Sequence, residues 1–284
     1  MDNRPIGVFD SGLGGLTAVR EILHIMPHEN VVYFGDTGRV PYGTRSRDTI
    51  LKYAAQDMAF LRSKDVKMII AACGTVSSVA SDLGSALPVP YTGVLQPTAL
   101  AASLATRNGK IGVIGTTATI RSDSYRKALL CLNPSIEVFS QDCPMFVPLV
   151  ENDFYDPENP VPRLVAQRDL EPLQKAGVDT LIMGCTHYPI LRRTIQQVMG
   201  PEVVLIDSGR ETASYAMELM QKRSLLSDRT EPGTCDFYVS DSTEGFSKTA
   251  SLFLERNVTE RVSYIDIVGF AEKQTGTAEG RREP

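Results

Sequence analysis

The chain has 284 residues, 42% of them hydrophobic and 22% charged, with a net charge of −5. That mixture suits a globular protein with a sizeable core and excludes a disordered chain, which needs fewer apolar residues and more net charge. A mildly acidic balance leaves no electrostatic footprint for nucleic acid or an anionic membrane.

At the N-terminus, Met1-Asp-Asn-Arg-Pro-Ile6 lacks the basic region and apolar stretch of a secretory signal. No apolar window of about 18 residues occurs anywhere. The expectation is a cytoplasmic protein. Cysteines stand at 73, 131, 143, 185 and 235, an odd number without a CxxC pair. Disulfides are not expected in that compartment. Only His24, His28 and His187 are present, too few for a Cys/His zinc site. The cysteines are therefore buried packing residues or reactive thiols.

Taken in chain order, short apolar runs predict strands at 6–9, 31–34, 67–71, 91–94, 110–114, 136–139, 180–183, 203–206 and 235–239. Helical spacing fills intervening stretches such as 16–26, 46–63 and 164–176. This alternation predicts an α/β fold of βαβ units with mostly parallel sheets flanked by helices. Residues 274–284 are polar and read as a loose tail.

The chain also resembles itself. Ile6-Gly-Val-Phe-Asp-Ser-Gly matches Ile111-Gly-Val-Ile-Gly-Thr-Thr at an offset of 105 residues. Val32-Tyr-Phe-Gly-Asp-Thr matches Val138-Phe-Ser-Gln-Asp-Cys at 106, and Met68-Ile-Ile-Ala-Ala-Cys matches Thr180-Leu-Ile-Met-Gly-Cys at 112. Two similar lobes facing one another explain the order and spacing. The plainer alternative is that all parallel strands look alike.

Cys73 and Cys185 hold equivalent places in that repeat, each just past a strand and before a helix. Ligands of open α/β sheets bind beyond the carboxyl ends of the strands. A thiol at a helix start is expected to gain thiolate character, and the same N–H groups can hold a carboxylate. Thr75 and Thr186 add hydroxyls beside them. Two facing thiols suit inversion of a stereocentre, which needs a base on one face and an acid on the other. Cys131, Cys143 and Cys235 read as small buried hydrophobes.

Asp10 and Ser11 end the first predicted strand. Gly12 and Gly14, with Asp36 after the next strand, invite a dinucleotide reading, but the third glycine position is Thr17. Asp10 is better used to receive a substrate ammonium or to assist a thiol; the alternative is a strand-end turn cap. His187 is placed to relay protons to Cys185, to hold a carboxylate, or only to cap a helix. His24 and His28 flank Pro27 at a helix end and are expected to be exposed. Pro41-Tyr-Gly43 forms a loop in which Tyr42 closes over a ligand or simply turns the chain. No strand-end lysine offers a pyridoxal phosphate anchor.

Several ordered segments resemble the glutamate racemases of the cofactor-independent aspartate/glutamate racemase superfamily. They are Gly7-Val-Phe-Asp-Ser-Gly-Leu-Gly-Gly-Leu-Thr17, Tyr33-Phe-Gly-Asp36 with Val40-Pro-Tyr-Gly-Thr44, Ile114-Gly-Thr-Thr-Ala-Thr-Ile120, Phe146-Val-Pro-Leu-Val-Glu151, and Gly184-Cys-Thr-His-Tyr-Pro189. The resemblance implies two α/β lobes, 1–95 with 207–284 and 96–206, with the site in the cleft between them. It implies Cys73 and Cys185 as acid/base residues, assisted by Asp10 and His187. It implies that Ser11, Tyr42, Gly43, Gly74, Thr75, Thr116, Thr119 and Thr186 bind the amino acid, with Glu151 auxiliary. It implies no cofactor or metal, a homodimer, and supply of D-glutamate to peptidoglycan precursors and cell shape. One departure stands out: the family reads Cys-Asn-Thr where this chain reads Cys73-Gly-Thr75. Either water fills the space of the missing side chain, or the pocket takes another or larger substrate. Racemisation of aspartate or another amino acid, and simple two-lobed ligand binding, are the alternatives.

Overall fold

Runs of Val, Ile and Phe too short for helices are stabilised as strands when both faces are covered. The computed structural model describes residues 1–254 and 257–279. Its strands are β1 Ile6–Asp10, β2 Val31–Gly35, β3 Met68–Ala71, β4 Tyr91–Gly93, β5 Lys110–Gly115, β6 Glu137–Asp142, β7 Thr180–Met183, β8 Val204–Asp207, β9 Cys235–Val239 and β10 Val262–Tyr264. β1, β2, β3 and β7 are buried along their whole length, which is why each reads as an unbroken apolar run.

The strands form two sheets, β10-β9-β2-β1-β3-β4 and β6-β5-β7-β8. Every adjacent pair in them runs parallel. The order β2-β1-β3-β4 recurs as β6-β5-β7-β8, so the weak sequence repeat has a structural counterpart. Ile6 pairs with Met68 and Ile111 with Thr180, which reproduces offsets of 105 and 112 residues. Ile6 also pairs with Val31 and Ile111 with Val138, so Val31, not Val32, is the counterpart of Val138.

Helices join the sheets. Helix Leu16–Ile25 follows β1 and packs on helix Ser208–Lys222, which follows β8. Leu16, Ala18, Val19 and Ile22 on one, and Ala213, Ala216 and Met220 on the other, are buried in the same core. Small residues on the second helix let the two axes approach.

Some elements differ from expectation. β10 carries no apolar run; it is a short, largely exposed edge strand held by its register to Phe237, Tyr238 and Val239. The helix expected from residue 164 starts at Pro160, because Asn159 caps it by accepting from the Val161 N–H and proline is favoured in the first turn. Residues 274–279, read as tail, continue helix Ile267–Glu279, anchored by buried Ile267 and by Phe270 against Phe60. Residues 280–284 of that expected tail lie outside the described residues.

Lys67, expected to open a strand, instead precedes β3 with its side chain buried. Its Nζ donates to the Glu29 carboxylate and to the Asp2 carbonyl at 2.6 Å, while Glu29 Oε1 accepts the Ser227 N–H at 2.7 Å. Two charges held out of water are tolerable only as a pair. Lys67→Met should therefore cost about 3–5 kcal/mol in urea unfolding, and adding Glu29→Gln should restore part of the loss.

Candidate active site

The ladder of the first sheet extends past the apolar runs, with Asp10 opposite Gly35. Asp10 thereby reaches the carboxyl edge while staying buried. Its Oδ2 accepts the Gly12 N–H at 2.9 Å, and Tyr33 donates to the Gly12 carbonyl at 2.8 Å, pinning the loop. Its Oδ1 has no hydrogen-bond partner among the described residues.

Cys73 stands between β3 and helix Gly74–Val79, and its thiol lies 3.6 Å from Ser11 Oγ. Cys185 follows β7 in the equivalent place, with the Gly184 N–H donating to the Ile114 carbonyl at 2.7 Å. Both thiols line one cavity of about 300 Å³, together with Asp10, Ser11, Tyr42, Gly43, Gly74, Thr75, Thr116, Thr119, Glu151, Thr186 and His187. Thus every candidate residue converges on the same space, one thiol coming from each sheet.

Hydroxyl contacts bind the two sides. Thr75 Oγ1 lies 3.3 Å from Thr116 Oγ1, which lies 3.0 Å from Thr119 Oγ1. Thr17 donates to the Thr186 carbonyl at 3.1 Å. At Gly74 an added Cβ would lie 2.5 Å from the carbonyl oxygen of Gly184. The opposite turn therefore stands where a side chain at this position would begin. At Gly14 a Cβ would likewise run into the side chains of Thr186 and His187. The absence of side chains at these two positions permits the close approach.

Tyr42 does not act as a lid. It is buried, and its hydroxyl donates to Asp36 and, at 2.9 Å, to Asp57. Asp36 also takes Arg39 Nε at 2.6 Å and Ser240 Oγ at 2.7 Å, deep in the fold. This leaves it no role as a ribose ligand and disposes of the dinucleotide alternative.

Cys185 Sγ is 3.9 Å from His187 Nδ1, and His187 Nε2 is 3.2 Å from Glu151 Oε1. Glu151, the last residue of helix Phe146–Glu151, is half exposed at its side chain. Burial alone pulls the His187 pKa down, but hydrogen bonds to Cys185 and Glu151 outweigh it and raise it to about 10. The direction favours the protonated imidazole, set between the Cys185 sulfur and the Glu151 side chain. Cys73 shifts the other way from the thiolate expectation: burial, and then the charge of Asp10, push it up to about 12. Desolvation exceeds the help from the Val76 N–H. Burial also raises the Asp10 carboxyl, against the pull of charged His187 and three backbone N–H groups.

Sequence reading missed one wall. Cys143 is buried as expected but also lines the cavity with Pro144, Val147 and Pro148. The only signal was their position beside Phe146-Val-Pro-Leu-Val-Glu151. Cys131 is exposed, not buried, because it sits on the outer face of helix Ser124–Leu132. His24 and His28 are exposed. Among the described residues, no group of three or more His, Cys, Asp or Glu could hold a metal ion, and no helix is long and apolar enough to cross a membrane.

The raised His187 pKa has a consequence for stability. A group that binds its proton more tightly when folded stabilises the fold below its unfolded pKa of 6.5 and loses that contribution as pH rises through about 10. The stability lost in His187→Gln should be largest near pH 6 and shrink toward pH 10, as read from unfolding curves across that range. A difference independent of pH would contradict the charged state of His187.

The family model for Asp/Glu/Hydantoin racemase matches residues 15–216. A glutamate racemase of Geobacter metallireducens is 45% identical over 252 residues, covering 88% of this chain and 93% of that protein. The crystal structure of a Bacillus anthracis glutamate racemase superimposes with a TM-score of 0.89 at 36% identity, covering 94% of this chain and 98% of that one. The Francisella tularensis glutamate racemase solved with D-glutamate gives 0.86 at 38% identity, covering 94% and 99%. With half the chain and more matched by the model, and a relative of this identity matched nearly end to end, the chain belongs to the Asp/Glu/Hydantoin racemase family.

Proposed function

We propose that the protein interconverts L- and D-glutamate by proton transfer between two thiols. The observation that carries this reading is the presence of Cys73 and Cys185, from the ends of two different sheets, in one cavity. Each has its own acid/base companion. Relatives named glutamate racemase, similar over most of the chain, support glutamate as substrate.

In one direction the Cys73 thiolate takes the Cα proton, and the S–H of Cys185 returns one to the opposite face. In the other direction the roles exchange. The Cα proton is weakly acidic, so the site must stabilise a carbanion-like state with preorganised dipoles. Ser11, Gly74, Thr75, Thr116, Thr119 and Thr186 supply hydroxyl and N–H donors for the substrate carboxylates. Tyr42 and Gly43 act as a fixed wall, since the Tyr42 hydroxyl is already committed. Asp10 assists Cys73: burial makes its carboxyl a better proton acceptor, and its free Oδ1 is available for that proton or for the substrate ammonium. His187, oriented by Glu151, stabilises the Cys185 thiolate.

The same proposal divides the lobes as 1–95 with 207–284 and 96–206. It places the protein in the cytoplasm as a homodimer whose product feeds peptidoglycan precursors and so maintains cell shape.

Incubation with L-glutamate in D2O should yield D-glutamate with deuterium at Cα, and aspartate should react at least about tenfold more slowly. Cys73→Ser and Cys185→Ser should each abolish racemisation in both directions; substantial turnover by either would sink the two-thiol scheme. Gly74→Ala should push the turn away from Gly184 and lower kcat by about tenfold or more, with the circular dichroism spectrum unchanged. A kcat at the wild-type level would show that this contact does not set the spacing of the thiols.

A further inference from the structure

A second cavity, of about 710 Å³, opens beside the thiol cavity and shares Gly43, Thr44 and Thr117 with it. Its walls come from both lobes: the loop leading into helix Arg47–Ser63 on one side, and helices Thr117–Arg121 and Ser124–Leu132 on the other. Arg45, Arg47, Arg121 and Lys127 project into it. All four are exposed, and none forms an ion pair with another described residue. Asp82 is the one carboxylate in the lining.

This concentration of positive charge stands out on a chain whose net charge is −5. The rest of the chain carries an excess of negative charge. In a cleft with low-dielectric walls, unpaired cations focus their field and raise the local concentration of a small anion at the mouth. Because they are solvent-exposed, salt screens them over about 8 Å at physiological ionic strength. Neither Arg45 and Arg47 nor Arg121 and Lys127 lines the thiol cavity itself. Any action on substrate is therefore on its arrival, not on the reacting atoms.

We propose that this groove is the entrance through which an anionic amino acid reaches the thiols, with Arg45, Arg47, Arg121 and Lys127 as positioning residues that draw it past the threshold formed by Thr44 and Thr117. The proposal rests on the dicarboxylate substrate argued above: glutamate carries one net negative charge at neutral pH. Electrostatic attraction at an entrance strengthens encounter and so lowers KM, while the chemical step keeps its rate.

The test compares the full-length wild type with a variant carrying Arg45→Gln, Arg47→Gln, Arg121→Gln and Lys127→Gln. Initial rates on L-glutamate are measured from low salt to about 0.3 M. Wild-type KM should rise with salt at constant kcat. The variant should start with a KM at least about threefold higher at low salt, lose most of the salt dependence, and keep kcat within about twofold. Asp82→Asn should move KM the opposite way, downward, which a variant damaged in folding would not do. A KM and salt dependence unchanged in the four-fold variant, or a change confined to kcat, would overturn the entrance. Absence of glutamate racemisation by the wild type would instead overturn the functional reading on which it rests.

Discussion

Everything at the site depends on how closely two strand-end turns approach. The turn after β3 carries Cys73, the turn after β7 carries Cys185, and the carbonyl of Gly184 occupies the place where a residue-74 side chain would begin. Threonine contacts, Thr75 with Thr116 and Thr17 with the Thr186 carbonyl, hold the same seam. A parallel sheet places its ligand-binding loops at one edge. Two such sheets set edge to edge enclose a space that neither has alone. The similar strand order of the two sheets brings equivalent turns, and hence equivalent thiols, to that seam.

Enclosure sets the electrostatic problem. A water-poor cavity strengthens every dipole aimed at a substrate, yet it also penalises the thiolate on which the proposed reaction depends. The two sides solve this differently. Cys185 has a cationic neighbour, and Glu151 carries the compensating charge toward solvent. Cys73 has the Ser11 hydroxyl, backbone N–H groups of Ser11 and Val76, and the Asp10 carboxyl nearby, and the carboxyl's charge opposes thiolate formation. For Cys73, activation therefore requires moving a proton or placing a substrate ammonium beside Asp10. At Cys73 the Val76 N–H at the helix start favours the thiolate, but desolvation exceeds it.

Legibility from the sequence followed burial. β1, β2, β3 and β7 are covered on both faces, so their apolar runs announced them, whereas β10 lies at an exposed edge and left no pattern. Cys73 and Cys185 were legible because position after a strand is a local property. The orientation of the Tyr42 hydroxyl was not, since it is set by Asp57 on the following helix. Cys143 looked like a packing residue and is one, but its place in the cavity wall depends on how β6 meets the opposite turn. The basic groove was illegible for the same reason: Arg45 and Arg47 belong to one lobe, Arg121 and Lys127 to the other, and only folding puts them together.

The unlike surroundings of the two thiols meet a thermodynamic limit. Enantiomers are equal in free energy, so a racemase has an equilibrium constant of one, and kcat/KM must be the same in both directions. The imidazolium beside Cys185 cannot make one direction more efficient than the other. It can only shift how the common barrier is divided between binding and proton transfer, and which thiol holds the proton between turnovers. The resting molecule favours a proton on Cys73, whose pKa is pushed up to about 12. On the two-thiol proposal, the enantiomer whose Cα faces Cys185 meets the sulfur that stands beside His187. On the same proposal its mirror image meets Cys73, where burial favours the protonated thiol, so the asymmetry is expected as a difference in kcat and KM taken separately. Entry through a charged groove fits that constraint, since attraction to net charge is identical for both enantiomers and leaves the required equality intact.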